Sequence, residues 1–201
     1  MTVNSASKRA ILDRLNTRPI RSTPLPEVDP ARLSRFEDPI AKFREMLEFV
    51  GAQVHVVSGA DQVREQLESL AEFRDAKNIA SVDHDVTPGN VDATAVEDPH
   101  ELESLDWFIA RGEFVVAENG AIWIDGQTLP HRVLLFIAQY LAIVVPTTQV
   151  VHNMHEAYAR IGTPDPGFGA FVSGPSKTAD IEQSLVLGAH GCRTLNVFLS
   201  P

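Results

Sequence analysis

From Pro39 onwards, apolar runs of strand length alternate with amphipathic stretches of helix length, and this rhythm restricts the fold more than any other feature. Ile40, Phe43, Leu47 and Val50 fall near helical spacing and predict a helix over Ile40–Phe49, stopped by Gly51. Val54–Val57 reads as a strand, Asp61–Ala71 as a helix with Val63, Leu67 and Leu70 on one face, and Asn78–Val82 as another strand. Strand–helix–strand order implies parallel pairing through a right-handed crossover. After a polar, Pro- and Gly-punctuated loop over residues 83–100, Glu113–Ala117 and Ala121–Asp125 predict two strands. Asn119-Gly120 between them signals a type I′ hairpin, whose two central residues need positive φ. Further on, His131–Ile137 predicts a helical turn, Leu141–Val145 a buried strand and Val150–Ile161 a helix ended by Gly162. Gly169–Val172 predicts a strand, Ala179–Leu187 a helix capped by Gly188, and Leu195–Leu199 the last strand. The expected architecture is one three-layer α/β/α domain over residues 32–201, around a mixed and mostly parallel sheet.

Residues 1–31 stand apart. Ser5–Leu15 reads as a short amphipathic helix, and Pro19, Pro24, Pro26 and Pro30 make residues 18–31 a linker. This stretch is basic through Lys8, Arg9, Arg14, Arg18 and Arg21, whereas the whole chain of 201 residues carries a net charge of −10. So acidic a body argues against nucleic acid as the main partner. No apolar run is long enough to cross a bilayer and no signal-peptide core follows Met1, so the expected location is the cytoplasm. The single cysteine, Cys192, excludes a disulfide framework, and a cluster held by this chain alone would need more thiolates. Cys192 reads as an inert, buried thiol with only His190 near it in sequence.

The predicted turn from strand Gly169–Val172 into helix Ala179–Leu187 contains Ser173, Gly174, Pro175, Ser176, Lys177 and Thr178. A strand–loop–helix turn aims backbone N–H groups and the positive helix end at one spot, which suits an anionic ligand. Asp180 and Glu182 in the first helical turn would offset the dipole and oppose an incoming anion. Two nucleotide motifs fail here. A Walker A loop would need glycine at Phe171 and Ser176, and Gly167-Phe168-Gly169 precedes a strand and lacks a third glycine.

The stretch from Ser173 to Gly191, SGPSKTADIEQSLVLGAHG, resembles the C-terminal signature of the LUD-domain family of lactate-utilisation proteins. A looser likeness runs back through Glu113–Asp125, Leu129-Pro130 to Val145, and Val150–Ile161. The resemblance implies a fold like that of the NagB/RpiA/CoA-transferase-like group. It also implies a part in oxidising L-lactate to pyruvate, beside partner proteins that carry iron–sulfur clusters, with no cofactor held by this chain. A small anionic ligand is then expected at Ser173–Glu182, with Asn119, Gly120 and His190 beside it.

Glu118-Asn119-Gly120 supports an alternative, because it resembles the Ser-Glu-Asn-Gly motif of family I CoA transferases, with Ala117 in place of the serine. There a glutamate attacks an acyl-CoA carbonyl, a sound use of a carboxylate nucleophile. A hairpin turn explains the same residues structurally, and a small-carboxylate or phosphate-binding regulatory module is a third reading. At i, i+3 in the expected Val150–Ile161 helix, His152 and His155 share a face beside Glu156 and could hold a divalent metal. The metalloprotease spacing and a third ligand are lacking, so no metal is expected. Asp83-His84-Asp85 follows a predicted strand and places a carboxylate at its end, or simply opens a loop.

Overall fold

The computed structural model describes residues 5–17, 24, 26–162, 167–179, 185–188 and 190–201. The chain divides into two compact units, Met1–Arg32 and Leu33–Pro201. The first contains helix α1, Ser5–Asn16, and a single 3-10 turn at Pro30–Arg32, opened by the Asp29 carboxylate accepting from the Ala31 N–H.

The second unit begins with α2, Pro39–Phe49. The Asp38 side chain caps it by accepting from the Ala41 N–H, and Pro39 occupies the first turn, where its missing N–H costs no helical hydrogen bond. Then follow β1 (Gln53–Val56), α3 (Ala60–Ser69), α4 (Ala71–Arg74), β2 (Ile79–Ser81) and β3 (Trp107–Arg111). Next come β4 (Phe114–Val116), β5 (Ala121–Asp125), α5 (Leu134–Ile137), β6 (Tyr140–Pro146), β7 (Val150–Val151) and α6 (Met154–Ile161). The chain closes with β8 (Gly169–Val172), β9 (Lys177–Ala179), β10 (Leu185–Leu187) and β11 (Thr194–Ser200).

The strands sort into two sheets and a hairpin. Five are all parallel in the order β1-β11-β6-β3-β2. Four form a mixed sheet, β7-β4-β5-β8, and β9 pairs antiparallel with β10. The α/β class is as the sequence implies.

Period-two alternation explains the layering. In β3, Trp107 and Ile109 face the core under α3 and α4, while Phe108 and Ala110 face the opposite core. Leu141, Ile143 and Val145 of β6 and Leu195, Val197 and Leu199 of β11 turn to that second side. There they meet Val115, Ile122 and Ile124 of the mixed sheet, with Phe43 and Leu47 of α2. The outer face of the mixed sheet, Phe114, Val116 and Ala121, packs on Ala157 of α6. The inner strands β3, β4, β6 and β11 are thus buried on both faces, which explains their near-continuous apolar runs.

Several expectations change. Strand β3 is absent from the sequence reading, yet it pairs on both edges and is almost wholly buried. Val150-Val151, expected to start a helix, is strand β7, and α6 starts only after Asn153. The helix expected at Ala179–Leu187 is replaced by hairpin β9–β10, with Lys177, Thr178 and Ala179 opposite Leu187, Val186 and Leu185.

Phe108 is fully buried between the two sheets. Phe108→Ala should lower unfolding free energy by about 3–5 kcal/mol, read from denaturant unfolding.

Candidate ligand-binding site

Because Lys177–Ala179 and Leu185–Leu187 pair as strands, the Ser173–Ser176 turn leads into β9 and faces no helix dipole of its own. Asp180 and Glu182 lie outside the described residues. Ser173, Ser176, Gly188 and Gly191 of the signature are held by a different set of contacts. The Ser173 hydroxyl donates to Asn119 O at 2.9 Å, the Ser176 N–H to Cys192 O at 2.9 Å and the Gly188 N–H to Ser176 O at 3.0 Å. Gly191 packs against Ser176, where an added Cβ would lie 3.1 Å from the serine Cβ. His190 is exposed, and Pro175 is buried.

Both the signature loop and the turn after β4 close on the last turn of α2. Gly174, at φ 80°, passes so close that a Cβ would stand 2.8 Å from Val50 Cγ2 and 3.1 Å from Val50 O. Gly120, at φ 67°, would place a Cβ 2.9 Å from Leu47 N. Lys177 Nζ reaches to 3.4 Å from the position a Gly51 Cβ would occupy. It therefore lies at the carbonyl end of α2, where a cation complements the helix dipole. Gly51 leads into β1 and Cys192 into β11, so this cluster sits at the amino edge of the parallel sheet. Open α/β sheets usually hold ligands at the other edge. Gly174→Ala adds both left-handed strain and a clash, and should cost about 1–3 kcal/mol in thermal unfolding.

The Asn119-Gly120 connection is longer than the expected two-residue type I′ turn. Val116 pairs with Ala121, leaving four residues, Ala117–Gly120, between the strands. The Ala117 and Glu118 N–H groups donate to Val151 O and His152 O, so they extend the pairing of β4 with β7. Asn119 Oδ1 accepts from the Ala121 N–H at 3.1 Å, and the Gly120 N–H donates to Val116 O.

Glu118 is the connection's link to α6. Its Oε1 accepts the Met154 N–H at 2.7 Å, satisfying a first-turn donor with a negative charge. Buried Asn153 caps the same helix, accepting from Glu156 N and donating to Ser34 O. Glu156 Oε2 accepts from the His152 N–H at 2.8 Å, and its other oxygen pairs with Arg35 at 3.1 Å. His152 precedes the cap and uses Nδ1 to accept the Phe36 N–H, while exposed His155 lies inside α6. The two histidines therefore do not share a helix face, which removes the geometric basis for a metal there. Glu118→Ala should cost about 1–2 kcal/mol, and Glu118→Gln less because it keeps an acceptor; melting curves of both variants distinguish them.

The carboxyl edge carries a second constellation that sequence reading finds only in part. Asp83, one of the Asp83-His84-Asp85 candidates, is buried and takes a bidentate contact from Arg111: Nε to Oδ2 at 2.8 Å and Nη2 to Oδ1 at 3.0 Å. Asp85 accepts from the same Nη2 at 3.2 Å, while His84 is exposed. The bond to Asp83, foremost, holds the Arg111 guanidinium above its ordinary pKa against the opposing effect of burial. Arg111 is not among the sequence candidates, although a lone charge ending the run Trp107–Ala110 is a signal for it. Beside it, Gly112, Val144, Pro146, Ser200 and Arg160 line a cavity of about 560 Å³. A neighbouring cavity of about 570 Å³ lies against Trp123, Tyr158 and Phe171, and Glu113 and Arg160 line both. At the opposite edge, burial pushes the Cys192 thiol above its ordinary pKa, which suits an inert thiol.

These features belong to a known class of α/β domain: the family model of the LUD domain matches residues 74–199, and the chain belongs to that family. Lactate utilization protein C of Bacillus pumilus (strain SAFR-032) is 30% identical over 112 residues, covering 53% of this chain and 47% of that protein. Lactate utilization protein C 1 of Bacillus mycoides (strain KBAB4) is 36% identical over 105 residues, 47% of this chain and 43% of that protein. The matched stretch thus spans less than half the length of each of these relatives. A crystal structure of a DUF162 family protein from Deinococcus radiodurans superposes with a TM-score of 0.59 over 87% of this chain and 100% of that one, at 18% identity. That likeness is one of fold.

Proposed function

We propose that this chain is a component of L-lactate utilisation, acting in the cytoplasm in the oxidation of L-lactate to pyruvate beside iron–sulfur partner proteins. The observation that carries the reading is the LUD-domain match over residues 74–199, shared with relatives named lactate utilization protein C. Oxidising lactate to pyruvate removes two electrons and two protons, so an electron acceptor is required. The chain has one cysteine, buried and raised in pKa, which favours clusters carried by partners. No helix among the described residues is long and apolar enough to cross a membrane.

Acyl transfer through Glu118 is the weaker reading, because one carboxylate oxygen is engaged by the Met154 N–H and the group already has a structural role. The signature loop is better supported as the brace between α2, the Ala117–Gly120 connection and β11 than as an anion cradle.

Deleting the gene from its host should abolish or strongly slow growth on L-lactate as sole carbon source, with growth on glucose unchanged and rescue by the intact chain. Normal growth and normal lactate oxidation in the deletion strain would refute the proposal.

A further inference from the structure

The connections leaving the carboxyl edge of the parallel sheet diverge at one place. Strand β1 leads to α3, whose Val63 and Leu67 pack on one face of the sheet. Strands β3 and β6 lead to β4 and β7 of the mixed sheet, which packs on the opposite face. Strand β11 lies between β1 and β6. Where neighbouring connections part to opposite faces, a crevice opens outside the strand ends, and open α/β sheets bind ligands there. The 560 Å³ cavity lies outside the carboxyl ends of β3, β6 and β11, lined by Arg111 of β3, Val144 and Pro146 of β6, and Ser200 of β11.

The charged side chains lining it are those of Arg111, Glu113 and Arg160. Arg160, from the last turn of α6, donates to Gln149 and lies over the Phe114 ring, 4.6 Å from its centroid. Among the described residues it has no carboxylate partner. Arg111 commits Nε and Nη2 to Asp83 and Asp85, and among the described residues its Nη1 has no partner. A guanidinium fixed on an aromatic face keeps its outward N–H groups oriented for a carboxylate. Glu113 lines the same cavity and opposes a second negative group, but it accepts readily from a hydroxyl.

We infer that this carboxyl-edge cavity binds a small 2-hydroxy acid, its carboxylate on Arg160 with help from Arg111 and its hydroxyl donating to Glu113. The identity of the acid as lactate rests on the proposed function; the site itself rests on the cavity. A 2-oxo acid offers Glu113 an acceptor rather than a donor, so the site should favour L-lactate over pyruvate.

Calorimetric titration of the full chain with L-lactate and with pyruvate tests this. Wild type should bind L-lactate more tightly than pyruvate. Arg160→Gln should weaken L-lactate at least about tenfold, Arg160→Lys less, and Glu113→Gln should narrow the preference for the hydroxy acid. Lys177→Ala, at the opposite edge, should bind as wild type does. Melting curves of the Arg160 variants verify folding, and Arg160→Lys serves if the glutamine variant does not fold. No heat from either acid, or binding lost in Lys177→Ala and retained in the Arg160 variants, overturns the assignment. A deletion strain that grows normally on lactate, with Arg160-dependent binding intact, would instead overturn the proposed function and leave the site standing.

Discussion

The second unit depends on the face that β3, β6 and β11 turn towards the mixed sheet. Phe108, Leu141, Ile143, Val197 and Leu199 interlock there with Val115, Ile122 and Ile124 in one core. Burying such surface contributes about 25 cal/mol per Å² of apolar area, so this shared core dominates the unit's stability. It also sets the position of everything that projects from the edges. The chain steps from one sheet to the other at Gly112-Glu113 and again between Pro146 and Val150. Those two steps carry the Glu118 connection, the start of α6 and the walls of the carboxyl-edge cavity.

Much of the fold is legible in the sequence because burial and periodicity agree. The helix beginning near Ile40, strands β1, β2, β5, β8 and β11, and the β4–β5 hairpin all follow from apolar spacing and turn residues. Strand β3 escapes because it is buried on both faces; Trp107–Ala110 has no alternation to mark it, and it follows a long polar loop. The helix misread at 179–187 has a plain cause. Its composition and the following Gly188 mimic a capped helix, whereas pairing with Lys177–Ala179 decides for strand. Propensity yields to tertiary pairing in so short a segment.

The site is legible as chemistry and less so as place. Ser173 and Asn119 meet through a hydrogen bond that ties the signature loop to the Glu118-Asn119-Gly120 turn. Nothing in the sequence indicates that they meet at the amino edge of the parallel sheet, since that follows from the mixed sheet's separate course. Arg111 and Arg160, far apart in sequence, converge on one cavity only through the two sheet-to-sheet steps. Arg111 alone is marked, as the charge that ends the run Trp107–Ala110, whereas nothing in the spacing ties it to Arg160.

The packing of α2 bears on where this domain begins. The family match starts at Arg74, yet Gly120 and Gly174 inside it press on Leu47 and Val50, and β11 inside it pairs with β1. A fragment cut at the start of the match would therefore lose a wall of its core. It would also bare one side of Thr194–Ser200 as a raw sheet margin open to other chains. In this chain the start of the family match is not the start of the folded core.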